Sequence, residues 1–357
     1  MGRAPETAVP SAPLRTADFD YPLPAERIAQ TPLEPRDASL LLHAMPDGRL
    51  DDCRFADLPA LLEPGDLLVA NETTVRAARL LGVTAAGVEA EVLLLERVEG
   101  ARFTALVRPG RRLHAGARVT IGDGLAVTVE GPAPGHRGAR TVTLHSRTDV
   151  EEAISAAGQA PLPPYIHVPL ADAARYQTTY ASGPPASAAA PTAGLHFTDA
   201  VRRALSDRGV GWATVQLDVG LGTFAPITSD DVRDHRMHAE RCTVPRATVE
   251  AVTAARERGA RVVAVGTTSV RTLEAHIDAA GKLAAGTTST DLFITPGHRF
   301  AVVDGLLTNF HQPRSSLLVL LAAFAGETTW RRAYEHALAG PYRFLSFGDC
   351  MLCWRQR

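Results

Sequence analysis

Arg261-Val262-Val263-Ala264-Val265-Gly266-Thr267-Thr268-Ser269-Val270-Arg271 decides how this chain is read. Arg261 to Val265 is a continuous apolar run of the kind that forms a buried strand. A glycine ends it, hydroxyl residues follow, and the pattern predicts a helix from Ser269 to Ala279, with Thr268 or Ser269 as a natural N-cap. Working outward, the same alternation recurs. Asp199 to Arg208 and Pro245 to Glu257 read as helices, the second with Val249, Val252 and Ala255 on one face and Gly259 beyond its end. Trp212 to Leu217 and Phe300 to Leu307 read as strands, and Ser315 to Ala325 as a further helix. Helices alternating with buried strands mean an α/β domain with parallel pairing.

Nearer the N-terminus the character differs. From Asp66 to Ser146, short β-rich runs at Leu67 to Ala70, Glu91 to Leu95, Arg102 to Val107, Ala117 to Ile121, Ala126 to Val129 and Thr141 to Leu144 are punctuated by glycine. No long helical pattern separates them, which predicts an antiparallel sheet or small barrel. The expected fold is therefore an α/β main domain, residues 17–65 and 155–357, with an inserted antiparallel β-barrel domain over 66–154. Residues 1–16 read as a disordered extension.

Bulk composition narrows the function. The chain has 357 residues, 45% hydrophobic and 21% charged, with a formal net charge of −2. No global basic field exists, so a nucleic-acid partner must be met by a local patch; the clearest carries Arg108, Arg111 and Arg112. Four cysteines fit a reducing cytoplasm rather than a disulfide scaffold. Cys350 and Cys353 have C-x-x-C spacing without a second pair, so they read as buried small side chains. The longest apolar helix candidate, from Ser316 to Gly326, is too short to span a bilayer, and no membrane role is expected.

The second half holds five dense clusters of Gly, Thr, His and Asp at the ends of apolar runs, where open α/β sheets place ligands. They are Ala190 to Phe197, Asp218 to Phe224, Asp234 to Glu240, Val265 to Arg271 and Leu307 to His311. Free amides at the helix start after Gly266 favour an anion, with Arg271 close by. Gly220 and Gly222 let backbone approach a ligand. Asp234, His235, His238 and Glu240 suit acid–base work or substrate hydrogen bonding better than a metal, because H-E-x-x-H and zinc-spaced cysteines are missing. His196 and His311 end segments of small polar residues, where neutral imidazole can take or give a proton. No G-x-S-x-G elbow accompanies them, so covalent catalysis is not indicated.

Several of these motifs together resemble the S-adenosylmethionine:tRNA ribosyltransferase-isomerase family. They are Ala189 to Phe197, Val219 to Phe224, Asp234-His235-x-Met237-His238-x-Glu240, Val265 to Glu274 and Leu307 to His311, with Pro161 to Ile166, Arg175 to Thr178 and Tyr342 to Asp349. The similarity is colinear from about Phe19 to Leu352. It implies an α/β domain with an inserted barrel. It also implies an enzyme of queuosine biosynthesis that transfers and isomerises the ribosyl part of S-adenosylmethionine. The acceptor is 7-aminomethyl-7-deazaguanine at the tRNA wobble position, and the products are epoxyqueuosine-tRNA, adenine and methionine. The expected partners are S-adenosylmethionine as co-substrate and tRNA, with no metal or redox cofactor. A monomer in the cytoplasm is expected.

On that resemblance His196, Asp234 and His238 are the candidates for proton transfer. Thr267, Thr268, Ser269 and Arg271 would hold the methionyl carboxylate or a phosphate. Thr192, Gly194, Asp218, Gly220, Gly222, Thr223, Asn309 and His311 would line the pocket, and Arg108, Arg111 and Arg112 would meet RNA. The chain departs from the family pattern at Leu40, Thr74, Pro185, Asp218 and Gln312, which marks it as a divergent member. Asp218 stands where the family usually carries histidine, and arginines are lost at Leu40 and Thr74. Those changes keep open a small nucleobase-like acceptor in place of tRNA, or a catalytically dead relative that binds RNA or nucleoside.

Overall fold

The computed structural model describes residues 13–122, 124–134, 138–220 and 226–356. Among them nine strands form one twisted sheet, in the order Gly286–Thr290, Glu240–Val244, Gly211–Leu217, Leu67–Asn71, Val262–Val265, Gly305–Asn309, Cys350–Trp354, Leu40–Ala44, Leu50–Arg54. The central four, from Gly211–Leu217 to Gly305–Asn309, run parallel. Of these, Leu67–Asn71, Val262–Val265 and Gly305–Asn309 are buried along their whole length, as strands covered on both faces must be. The parallel pairing expected of the α/β domain forms this centre, and antiparallel strands flank it: Glu240–Val244 and Gly286–Thr290 on one side, Cys350–Trp354 against Gly305–Asn309 on the other. Glu240–Val244 and Gly286–Thr290 carry polar residues, so buried-run reasoning does not find them, whereas Cys350–Trp354 is apolar and buried and its direction is set by its pairing alone.

Alternate side chains of the central strands enter two cores, one on each face. Leu67, Val69, Val262, Ala264 and Leu306 pack under the helices Arg246–Glu257, Ser316–Ala325 and Glu327–Ala339. Leu68, Ala70, Val263, Val265 and Leu307 face Phe55, Leu58, Val201 and Leu205. Cys350 and Cys353 belong to opposite cores, so they do not form a pair despite their spacing.

Six antiparallel strands close a barrel, in the order Arg140–Ser146, Arg102–Arg108, Glu89–Glu99, Arg79–Thr84, Arg118–Gly122, Leu125–Pro132. Phe103, Val92, Val119, Val127 and Val142 fill it, with Ile154 added from the helix Val150–Ala157. The barrel therefore begins at Arg79 and not at 66. Leu67–Asn71, counted with it from the sequence, is a central strand of the main sheet, and an apolar run of that length reads alike in either setting. Two further boundaries move: the helix after Gly266 is Thr267–Ala275, and the later strand is Gly305–Asn309.

Residues 13–16 are held in place, correcting the reading of 1–16 as a disordered extension. Arg15 bridges to Asp231, and the Thr16 hydroxyl donates to Ser229 O at 2.6 Å. Residues 1–12 lie outside the described part. Among the described residues no helix is long and apolar enough to cross a membrane.

Candidate active site

The carboxyl ends of the parallel strands meet along one edge of the sheet, and most candidates collect there. Asn71 ties two strand ends together: its Nδ2 donates to Leu217 O at 3.0 Å and its Oδ1 accepts from Leu217 N at 3.1 Å. Asp218 follows immediately, half-buried, with Oδ1 accepting from the Thr73 hydroxyl at 3.2 Å. Burial raises its pKa, and the Thr73 bond and the Arg241 charge oppose that.

Beside it lies a buried ion pair. Arg271 Nη1 donates to Glu240 Oε2, and the other Glu240 oxygen accepts from Gly220 N at 2.8 Å. Arg271 Nε is committed to Leu292 O at 3.1 Å, while its Nη2 is buried without a partner. One turn earlier, the Thr268 hydroxyl is also buried and unpartnered. Helical spacing puts these two groups on the same face. Gly266 is the N-cap at φ +83°, a left-handed conformation that favours glycine, and no side chain caps the helix. The expected cap at Thr268 or Ser269 is not formed. Ser269 instead donates to Val265 O at 2.7 Å, which spends its hydroxyl on structure.

A second cluster joins three chain segments by hydrogen bonds. The turn Thr192–His196 sits over the strand ends, with Ala193 Cβ 3.6 Å from where a side chain on Gly266 would begin. Thr192 donates to Asn309 Oδ1 at 2.8 Å; Asn309 Nδ2 meets His196 Nε2 at 3.2 Å; His196 Nδ1 meets Ser39 Oγ at 2.7 Å; Ser39 lies 3.3 Å from Arg36 O. With Asn309 donating, His196 carries its proton on Nδ1 and gives it to Ser39. His196 stacks on Phe55 with ring centres 5.1 Å apart. Burial first, then the charges of Arg343 and Arg36, push its pKa down to about 3, so it is neutral at physiological pH. His311 is likewise pushed down to about 3 by burial, with Nε2 at 2.8 Å from the Thr308 hydroxyl and its amide donating to Tyr334 Oη at 2.7 Å. A cleft beside it is lined by Tyr165, Thr192, Asn309, His311, Ser315 and Ser346.

Asp234 and His238 are exposed, on the segment that leads back to Glu240 at this edge. They reach solvent but are not enclosed with His196. Gly194 is buried against Tyr180, so it serves packing of the turn. Thr267 is buried at the helix start. Gly222 and Thr223 lie outside the described residues. Arg108, Arg111 and Arg112 are exposed on the barrel, where Arg108 ends a strand opposite Glu91 and Leu113 just beyond joins the barrel core. Among the described residues no group of three or more His, Cys, Asp or Glu side chains is placed to hold a metal.

Sequence reasoning missed Ser39, Asn71 and Asp349. Each is a single polar residue at a strand end; Asp349 closes the motif Tyr342 to Asp349, but the sequence alone gives none of the three a role. Asp349 accepts from the amides of Leu40 at 2.8 Å and Arg343 at 2.7 Å, holding the first and last thirds of the chain together at the site.

A family model described as "Queuosine biosynthesis protein" matches residues 16–353. The chain is 49% identical over 342 residues to the S-adenosylmethionine:tRNA ribosyltransferase-isomerase of Symbiobacterium thermophilum, covering 95% of this chain and 99% of that one. It is 51% identical over 355 residues to the protein of that name from Burkholderia pseudomallei, covering 96% and 97%. The crystal structure of S-adenosylmethionine tRNA ribosyltransferase from Thermotoga maritima aligns with a TM-score of 0.54 at 37% identity, over 94% of this chain and 99% of that one.

Proposed function

This chain belongs to the queuosine biosynthesis protein family, and from that premise we propose that its sheet edge is where S-adenosylmethionine gives up its ribosyl group to tRNA. The acceptor is the 7-aminomethyl-7-deazaguanine at the wobble position, and adenine and methionine leave. The observation that carries this placement is the buried, unpartnered pair of Thr268 hydroxyl and Arg271 Nη2 in the first turn after Gly266. Unpaired buried donors are costly, and a helix N-terminus attracts negative charge. The methionyl carboxylate supplies both groups with an acceptor. Glu240, already bound to Arg271 and Gly220, keeps the guanidinium aimed.

The sulfonium then lies next to the Thr192–His196 turn. A positive sulfur acidifies the adjoining ribose carbon, so removal of a proton there starts ring opening and expulsion of adenine, which needs a proton in return. His196 is neutral with both ring nitrogens engaged, so its part is to hold Asn309 and Thr192 in place unless Asn309 releases Nε2. Asp234 and His238, open to solvent on the bordering segment, exchange the protons. Asp218, whose pKa burial raises, is the half-buried acid at the same edge. Arg108, Arg111 and Arg112 on the barrel meet tRNA phosphates, and the enzyme works in the cytoplasm with that substrate.

The test is incubation with S-adenosylmethionine and precursor tRNA, following adenine. Adenine formed only with that tRNA supports the reading; adenine formed equally without tRNA overturns the acceptor. Asp234→Asn and His238→Ala are each expected to lower kcat on the order of 100-fold or more, as loss of a general acid or base does.

A further inference from the structure

A second cavity adjoins the cleft, and its chemistry differs. It is lined by Arg36, Ser39, Arg175, His196, Arg343 and Ser346, among others. Ser346 also borders the cleft that holds Asn309 and His311, and its hydroxyl lies 2.7 Å from Tyr165 Oη, so one hydrogen bond stands at the junction. Three guanidinium side chains thus surround a space next to the reaction site.

Neutral groups hold the arginines in position. Arg36 donates to Gln177 O at 2.7 Å and Ala174 O at 2.9 Å, and Arg343 to Phe347 O at 2.9 Å and Thr31 O at 3.2 Å. Backbone carbonyls orient a guanidinium without cancelling its charge. The acids nearby are few. Glu34, largely exposed, pairs with Arg175; Asp172 acts on Arg36 from an exposed position; Asp349 is buried behind the pocket with both oxygens spent on backbone amides. Arg175 Nε is buried without a partner. The pocket is therefore short of negative charge and has a donor to spare, which is the chemistry of a phosphate or carboxylate site.

S-adenosylmethionine does not fit that field. Its sulfonium and ammonium outweigh its one carboxylate, so the molecule is a net cation and three arginines repel it. An RNA strand brings an anion at every nucleotide. Building on the reaction proposed above, we propose that this pocket takes a phosphodiester of the RNA strand beside the acceptor nucleotide, fixing the backbone while the base enters the cleft past Tyr165 and Ser346.

The experiment uses the full chain and tRNA carrying the deazaguanine precursor. Binding is followed against salt for wild type, Arg175→Gln and Arg343→Gln, with S-adenosylmethionine binding measured by calorimetry on the same samples. The tRNA Kd is expected to rise on the order of tenfold at physiological salt, and the slope of log K against log salt to fall by about one. The affinity for S-adenosylmethionine stays at the wild-type value. If Arg343→Gln does not fold, Arg175→Gln, whose guanidinium pairs with an exposed glutamate, reads the same effect. Wild-type tRNA affinity and salt slope in variants that still bind S-adenosylmethionine would overturn the proposal. So would weakened S-adenosylmethionine binding with tRNA binding unchanged, which would make the pocket a carboxylate site. Wild-type protein that releases no adenine with this tRNA would instead remove the reaction on which the inference rests.

Discussion

At the scale of single residues, His196 and His311 decide how the site responds to pH. Both are pushed down to about 3 in the folded chain, mainly by burial, against an ordinary value of 6.5. Between those values the unfolded chain binds protons that the folded chain does not, so stability is full above about 6.5 and is lost as pH falls toward 3. At pH 5 each histidine costs about 2 kcal/mol, from the 1.36 kcal/mol that accompanies one pH step. Thermal melts from pH 7 to pH 4.5 are expected to fall less steeply for His311→Gln than for wild type; parallel curves would show that burial does not perturb this group. Thr268 gives a sharper test, because its two effects have opposite signs. Thr268→Val removes a buried hydroxyl without a partner, so stability is expected to hold or rise slightly. The lost bond to the carboxylate should weaken S-adenosylmethionine binding about three- to tenfold. A variant with unchanged Kd by calorimetry would take the carboxylate away from this turn.

At the scale of elements, the turn Thr192–His196 holds the hydrogen-bonded network together, since it carries two of the four members of the Thr192–Asn309–His196–Ser39 chain. Its position rests on close packing. A Cβ on Gly194 would stand 2.0 Å from Tyr180 Oη and 2.9 Å from the Thr178 methyl. Gly194→Ala is therefore expected to cost about 1–3 kcal/mol and to lower kcat as the network loses its geometry. Chemical denaturation and adenine release measure the two, and full activity with full stability would show the turn to be adaptable. The turn is legible in the sequence as a cluster of small and polar residues ending in histidine. The partners of that histidine are not. Ser39 and Asn309 are 157 and 113 positions away along the chain and come together only because their strands end on the same edge of one sheet. The helix after Gly266 shows the limit from the other side. Its hydroxyl-rich start announces a terminus, yet the choice of Gly266 as cap and the diversion of Ser269 to Val265 O depend on the strand that precedes it.

At the scale of the molecule, the barrel and the sheet divide the work. The barrel exposes Arg108, Arg111 and Arg112, and none of the three lines either cleft at the sheet edge. An extended polyanion can touch the barrel and the sheet edge at once, whereas a small molecule held in those clefts does not meet these arginines. Replacing the three arginines by serine is expected to weaken tRNA binding with a shallower salt dependence, while S-adenosylmethionine binding stays unchanged. Unaltered tRNA affinity would confine RNA contacts to the sheet edge.

Local pattern was enough to determine the fold class of this protein, an α/β domain with an inserted antiparallel barrel. Buried strands read as continuous apolar runs, barrel strands as short runs between glycines, and the carboxyl ends of the central strands as clusters of Gly, Thr, His and Asp, because each depends on neighbours a few residues away. The resemblance carried by those clusters reached the reaction as well. Tertiary structure alone decided which strand belongs to which sheet, as with Leu67–Asn71, and which polar groups meet. It left the Thr268 hydroxyl and Arg271 Nη2 unpartnered, occupied both nitrogens of His196, and gathered Arg36, Arg175 and Arg343 around one pocket. Those outcomes depend on burial and on contacts between distant segments, and neither is a property of any stretch of sequence read by itself.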